Sequence, residues 1–209
     1  MTLDPSLANI ATSHAWLFDC IQRLATRSSN PVMEVLQGVH LLEQECKYPD
    51  PAMSFAGRGV RAFYHCHTAA TAPANEHGHF HLFLHSGGDH ATLANWGHLV
   101  GLSMDKLGQP LRWFTVNRWV SGGPWLAAPQ LIALLEDLTP ASDLLLLEEW
   151  LLAMLAVYQT EIMQLLTRRD QTVSQLMATS NMQAILDDRS YYEFSTSAID
   201  LLTTFQQHQ

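Results

Sequence analysis

The sequence predicts an α+β fold in which a small antiparallel β-meander of about four strands packs against several α-helices. Apolar residues recur at helical spacing in residues 1–48 and again in residues 129–207, so both segments are predicted to be helical. Residues 57–120 instead contain short stretches rich in aromatic, β-branched and histidine residues, which are typical of strands. No repeat or linker divides the 209 residues, and we expect a single domain.

The first part of the chain is predicted to form two helices. Residues 5–28 have apolar residues at helical spacing, and Asn30 followed by Pro31 is typical of the start of a second helix. The asparagine side chain can accept a backbone N–H there, and proline loses no hydrogen bond at the first helical position. Pro49 and Pro51 are expected to end this second helix.

The central part is predicted to contain the strands. The expected strands are residues 61–68, 77–85, 99–105 and 111–120, with turn-prone clusters between them. Residues 106–108 are predicted to form a tight hairpin turn, which leaves Pro110 outside the ladder of backbone hydrogen bonds.

The last part is predicted to be helical again. A long apolar helix is expected to start at Thr139 and Pro140 and to run to about residue 168, with further helices at 170–187 and 190–207. Ser190 and Glu193 have the spacing of a capping box at the start of the last helix.

Composition argues against several classes of protein. The formal net charge is −9 without a compensating basic stripe, so we expect no nucleic-acid partner. The most apolar stretch is too short to span a bilayer and the start of the chain lacks signal-peptide features, so no membrane partner and a cytoplasmic location are expected. The three cysteines include no CxxC pair, which argues against a disulfide framework or a thiolate zinc site.

Histidines are concentrated in the predicted sheet. Of the 11 histidines, eight lie between residues 65 and 98. Because side chains alternate between the two faces of a strand, His65 and His67 are expected to share one face, as are those at positions 77, 79, 81 and 85. The opposite face of the second segment is mostly apolar and is predicted to pack on the helices. The histidine face is therefore expected to line a cleft.

A hairpin between these two segments allows two registers. His65 lies opposite His79 with His67 opposite His77, or His65 lies opposite His81 with His67 opposite His79. Histidines two residues apart on a strand can share one ion, whereas those four apart are about 13 Å apart and cannot. We therefore predict one metal ion bound by His65, His67, His79 and His81.

Other residues are candidates for supporting roles. His77, His85, His98 and Glu76 remain for a second metal site, for hydrogen bonds to the ligands or for proton transfer. Glu76 has the wrong parity for the histidine face, but it lies at the strand end, where a bend can turn it inward. Arg118 is a candidate for binding a carboxylate substrate, with a surface arginine as the alternative.

The metal and the function follow from the donor atoms. Imidazole donors suit copper, iron, zinc and nickel, and we favour copper or iron, with zinc next. The first hypothesis is a metal-dependent oxidoreductase, redox or oxygen-using, acting on a small-molecule substrate. The alternatives are a non-catalytic metal-binding protein for sensing, storage or delivery, and a helical interaction module with incidental histidines. An open coordination position beside an apolar pocket favours the enzyme.

Four runs of the sequence resemble a small bacterial family of about this length that is known as a domain of unknown function. The runs are YHCH at 64–67, EHGHFHLF at 76–83, FTVNRWVSGGPWL at 114–126 and ILDDRS at 185–190. The resemblance spans nearly the whole chain, and it implies no particular activity.

Overall fold

The computed structural model describes residues 5–55, 57–67, 73–87, 92–138 and 144–206. These residues form one antiparallel sheet of six strands and eight α-helices. The strands are β1 (Tyr48–Phe55), β2 (Val60–His65), β3 (Gly78–His85), β4 (Trp96–Met104), β5 (Pro110–Val116) and β6 (Glu193–Ala198). The helices are α1 (Pro5–Thr26), α2 (Pro31–Val35), α3 (Arg118–Ser121), α4 (Ala128–Glu136), α5 (Leu146–Val157), α6 (Gln159–Leu176), α7 (Met182–Asp187) and α8 (Leu201–Gln206).

The sheet is a meander in which each strand pairs with the next along the chain. This arrangement confirms the mixed α and β content and the antiparallel sheet. The expected number of about four strands was wrong, because β1 and β6 extend the sheet at its two edges. Both were missed for the same reason: an edge strand is stabilised by its partner, and that partner is not visible in the local sequence.

One face of the sheet forms the main core with the helices. Leu82 of β3, Leu102 of β4 and Trp113 of β5 are fully buried there together with Leu17 of α1 and Leu151 of α5. The apolar face that the alternation in β3 predicted therefore packs on helices, as expected. The histidines of β2 and β3 are left on the opposite face.

The C-terminal region differs most from its prediction. Residues 190–207 were expected to be one helix, but β6 pairs with β5 before the short α8 begins. The capping box is absent, because Ser190 donates to Asp188 while Glu193 accepts two hydrogen bonds from Arg112. The hydroxyl of Ser195 donates to the carbonyl of Leu165 in α6, which helps to hold β6 against the helices.

Other boundaries are partly as predicted. Asn30 caps α2 by accepting from the N–H of Met33 at 2.9 Å, but α2 ends at Val35 instead of near Pro49. Gly38, with φ +80, has a backbone conformation incompatible with a continuing α-helix. The predicted helix start at Thr139 lies outside the described residues. No helix within the described ranges has the length and apolar character needed to cross a membrane.

The β4–β5 hairpin confirms the predicted turn at residues 106–108. The carboxylate of Asp105 accepts from the N–H groups of Leu107 and Gln109, and Gly108 has φ +79. Pro110 was expected outside the ladder, but it is the first residue of β5 and pairs with Met104. Proline is tolerated at the first position of a strand, which explains the difference.

Candidate metal centre

The second face of the sheet brings three imidazoles together. β2 and β3 pair with His65 opposite His79, which is the first of the two predicted registers. His81 lies two residues beyond His79 on the same strand and therefore points to the same face. One ring nitrogen from each of these residues lies within 4.8 Å of the other two. We call His65, His79 and His81 the histidine triad.

The Nε2 atoms of the triad face one another. Nε2 of His79 is 2.6 Å from Nε2 of His65 and 3.2 Å from Nε2 of His81. His79 and His81 are each only 2% exposed, whereas His65 is half-buried. His79 is therefore the central member of the triad.

Both buried members are hydrogen bonded through the nitrogen that faces away from the triad. Nδ1 of His79 is 2.7 Å from Oε1 of Glu76, and Nδ1 of His81 is 2.8 Å from Nε2 of His98. An ionised carboxylate can only accept, so Nδ1 of His79 carries the proton and its Nε2 carries a lone pair. The same tautomer follows for His81 when its Nδ1 donates to His98.

Residues from two strands, β4 and β5, hold the carboxylate of Glu76, which is 1% exposed. The hydroxyl of Ser103 in β4 donates to Oε2, and the guanidinium of Arg112 in β5 lies 3.6 Å from the same oxygen. Arg112 also donates to both carboxylate oxygens of Glu193 in β6. Burial alone would raise the pKa of Glu76, but the contacts with His79, Ser103 and Arg112 hold that pKa below its usual value.

Burial also keeps three imidazoles neutral, those of His65, His81 and His98. It lowers the pKa of His65 to about 3, and the neighbouring imidazoles add to this effect. It holds the pKa of His81 well below the usual histidine value and lowers the pKa of His98 to about 3. Because only neutral imidazole coordinates a metal, His65 and His81 are in the charge state that binds a metal at neutral pH.

The donor atoms fit a transition-metal ion. An ion bound at 2.0–2.1 Å by three imidazoles places their nitrogens roughly 2.9–3.4 Å apart, so small ring movements suffice to bring the triad to that geometry. Two lone pairs that face each other at 3.2 Å, as in His79 and His81, repel unless a proton or a cation lies between them. A cation between the Nε2 atoms removes this repulsion.

An aromatic ring covers the triad on the side of β5. Phe114 presents its ring edge-on to His79 and His81, with centroid distances of 5.1 and 6.1 Å. Gly101 of β4 makes room for this ring, because a Cβ atom at that position would overlap it. The close contact excludes water from this side of the imidazoles.

His67, the fourth predicted ligand, lies beside the triad, outside the group whose nitrogens converge. Its ring is 4.8 Å from that of His65 and 5.2 Å from that of His79. Its Nδ1 is 2.5 Å from a carboxylate oxygen of Glu45, and its Nε2 is 3.3 Å from the hydroxyl of Tyr192. Both ring nitrogens therefore have protein partners.

The remaining predicted site residues are dispersed. His77 was expected on the histidine face, but β3 starts only at Gly78, and Nδ1 of His77 is 2.7 Å from the hydroxyl of Tyr64. His85 lies farther along the histidine face, with its ring 5.0 Å from that of Trp96. Arg118 was expected on the last strand, but it lies in α3 and forms an ion pair with Asp187. His90 lies outside the described residues.

Two residues of the site, Ser103 and Arg112, were not among its predicted residues. Each lies on a strand other than β2 and β3 and reaches the triad only through Glu76. Their alternation with neighbouring buried residues in β4 and β5 was the only signal in the sequence. It identifies a face of a strand, but it does not identify the strand that lies beside it.

Comparison with the curated proteins and with the solved structures returned no match. A family model matches residues 11–199, which is most of the chain and includes the whole sheet and the histidine triad. The chain therefore belongs to the family described as domain of unknown function DUF6969.

Proposed function

We propose that the protein is a metalloenzyme whose histidine triad binds one transition-metal ion and which acts on a small molecule. The observation that carries the proposal is the convergence of three Nε2 atoms, together with the contacts that hold the far nitrogens of two of these rings to Glu76 and His98. Hydrogen bonds of this kind fix the tautomer and orientation of ligand imidazoles in metal sites. A packing role for these histidines would not require their nitrogens to face one another.

The donor set narrows the choice of metal. Imidazole nitrogens favour copper, iron or zinc over magnesium or calcium. We place copper and iron first, and with them a redox or oxygen-using reaction, and zinc next. Glu76 does not complete an iron site of two histidines and one carboxylate, because its oxygens are bonded to His79 and Ser103.

The number of ligands supports an enzyme over a carrier. Catalytic sites commonly use three protein ligands and keep one coordination position open, whereas structural sites close with four. A cavity of about 370 Å³ lies beside the triad, and its wall includes Phe63, whose ring is 5.3 Å from that of His81. A bound metal would supply Lewis-acid or redox chemistry at its open position, next to this cavity.

We assign proton transfer to His67 instead of metal binding. Its ring lies beside that of His65, and its nitrogens contact Glu45 and Tyr192. Glu45 is exposed to solvent, so His67 can exchange a proton with water through it. In the same scheme Glu76 accepts a hydrogen bond from Nδ1 of His79 and keeps the proton on that nitrogen, so Glu76 takes no part in proton transfer.

Metal analysis of protein without a histidine tag tests the proposal. Protein from metal-supplemented culture should contain about one equivalent of copper, iron or zinc. The His79→Ala variant should contain less than about a tenth of that amount, because it lacks the central ligand. The His40→Ala variant lacks an exposed histidine outside the sheet and should keep the full amount.

Two outcomes count against the proposal. Wild-type protein with less than about a tenth of an equivalent, and without uptake on titration, would show that the triad is no metal site. X-ray absorption spectra that show a fourth protein nitrogen on the metal would instead support storage or delivery, since the coordination position would be closed.

A further inference from the structure

The cavity beside the triad has a mixed aromatic and cationic wall. It is lined by Phe63, Phe83 and Trp96 on the sheet and by Lys47 and Arg61 at its charged side. Ser121, the last residue of α3, also lines it, as do Gly122 and Gly123, which follow. Its volume of about 370 Å³ is at the small end of the range for ligand pockets.

The strand register places this cavity next to the triad. Phe63 pairs with His81, and Arg61 pairs with Phe83 one step farther along the same two strands. One such step of two residues covers about 6.6–7 Å. A molecule in the cavity beside Arg61 and Phe83 therefore lies about 6.6–7 Å from the level of His81 along the strands.

The aromatic wall suits a flat apolar group. Phe63 and Phe83 stack at 5.7 Å with their planes 28° apart, and with the buried Trp96 they form a cluster separate from the main core. Rings arranged in this way offer their faces and edges to a further aromatic ring. The partly buried Ala52 of β1 packs against this cluster, and all three rings also line the cavity.

The side of the cavity lined by Arg61 and Lys47 is positively charged and favours an anion. The guanidinium of Arg61 lies 4.4 Å above the ring of Trp96, and its buried Nε has no hydrogen-bond partner among the described residues. Lys47 adds a second positive charge 4.7 Å above the ring of Phe63, and the exposed Asp50 is the acidic residue of the lining. A buried donor without an acceptor is costly, so this Nε is a position that a ligand can satisfy.

We propose that this cavity binds a small aromatic carboxylate, with its ring against Phe63 and Phe83 and its carboxylate on Arg61. A guanidinium matches a planar carboxylate through paired hydrogen bonds. The positive charge is local, because the chain as a whole carries a net charge of −9. That the carboxylate is the substrate rests on the proposed function, whereas its binding does not.

Calorimetric titration with benzoate tests the inference, with uncharged benzamide as its control of equal shape. Benzoate should bind, and benzamide should bind at least about 10-fold more weakly, because it lacks the charge that pairs with Arg61. The Arg61→Gln variant should lose about 10- to 100-fold in affinity for benzoate, and Arg61→Lys should recover part of it. Arg27→Gln, an exposed arginine of the segment after α1, should bind like the wild type.

Titrations of metal-free wild type and of His79→Ala separate this inference from the proposed function. Suppose that both proteins bind benzoate and that the wild type contains no metal. This result would overturn the proposed metalloenzyme function and would support the carboxylate site. Equal affinity for benzoate and benzamide, or unchanged affinity in a folded Arg61→Gln variant, would overturn the carboxylate site itself. Circular dichroism establishes that this variant is folded.

Discussion

Oε1 of Glu76 lies 2.7 Å from Nδ1 of His79, on the side of the ring opposite His65 and His81. Because the carboxylate accepts the Nδ1 proton, Nε2 of His79 is left with the lone pair that faces the other two rings. Glu76 thereby determines which nitrogen of the central histidine can coordinate.

The first prediction separates the ligands from their neighbours. His65→Ala and His81→Ala are expected to reduce metal content to below about a fifth of wild type, since two imidazoles hold an ion much more weakly than three. His67→Ala and His85→Ala are expected to retain the metal. Elemental analysis of the four folded variants checks this. Loss of metal in His67→Ala would restore the four-histidine site that the sequence predicts.

The second prediction concerns Glu76. The Glu76→Gln variant is expected to bind metal about 10- to 100-fold more weakly, because a neutral amide orients His79 less strongly and does not compensate the charge of the ion. Competition with a chromogenic chelator measures the affinity. Glu136→Gln, at the exposed end of α4, is the matched control and should bind like wild type. Equal affinities in both variants would mean that Glu76 has no part in the site.

The third prediction is the pH dependence of the metal-free protein. The pKa of His65 is about 3 in the folded protein and near the usual histidine value of about 6.5 when unfolded. The unfolded chain therefore binds more protons between these values, so the free energy of unfolding should fall as the pH decreases through this window. The fall attributable to His65 should be roughly 1–3 kcal/mol between pH 6.5 and pH 4.

Denaturant titrations at several pH values measure that fall. A His65→Ala variant lacks this titrating group, so its stability should depend less on pH than that of the wild type. If the free energy of unfolding changed with pH equally in the two proteins, the pKa of His65 would be the same in the folded and unfolded states, which would contradict the prediction. For the metal-bound protein, the same low pKa implies that release requires acidification well below pH 6.5.

The fourth prediction concerns the ring that covers the triad. Gly101→Ala is expected to destabilise the protein by about 1–3 kcal/mol and to lower metal affinity, because the added Cβ displaces Phe114. Thermal unfolding and chelator competition measure the two effects. The double variant Gly101→Ala with Phe114→Leu removes the overlapping ring and should recover part of the stability. No difference between the single and double variants would contradict this account.

The sequence was sufficient to predict the pairing of β2 with β3. The alternation of His65 with Tyr64 and of His79 and His81 with apolar residues identifies one face of each strand, and only a few registers keep both histidine sets on that face. The prediction of His77 on this face is wrong for a local reason. β3 begins at Gly78, where an added Cβ would overlap the carbonyl of His65. His77 precedes the strand, so the alternation of side chains between the two faces of β3 does not determine where it points.

The support of the triad could not be predicted in the same way. Ser103 and Arg112 meet Glu76, and Glu193 meets Arg112, only because β4, β5 and β6 follow in order across the sheet. Residues 193–198 look equally compatible with a helix until their pairing with β5 is known, because strand preference depends on neighbours. Local patterns therefore predict which histidines share a face, whereas long-range pairing determines what surrounds them.

The three triad histidines belong to a single hairpin, and this has a consequence for the order in which the site is made. A ribosome synthesises His65, His79 and His81 before any residue of β4, β5 or β6, and therefore before Ser103, Arg112 and Glu193. If the nascent hairpin bound an ion, Glu76 would not yet be held in place by Ser103 and Arg112. The arrangement that fixes Glu76 against His79 thus exists only once the whole sheet has formed.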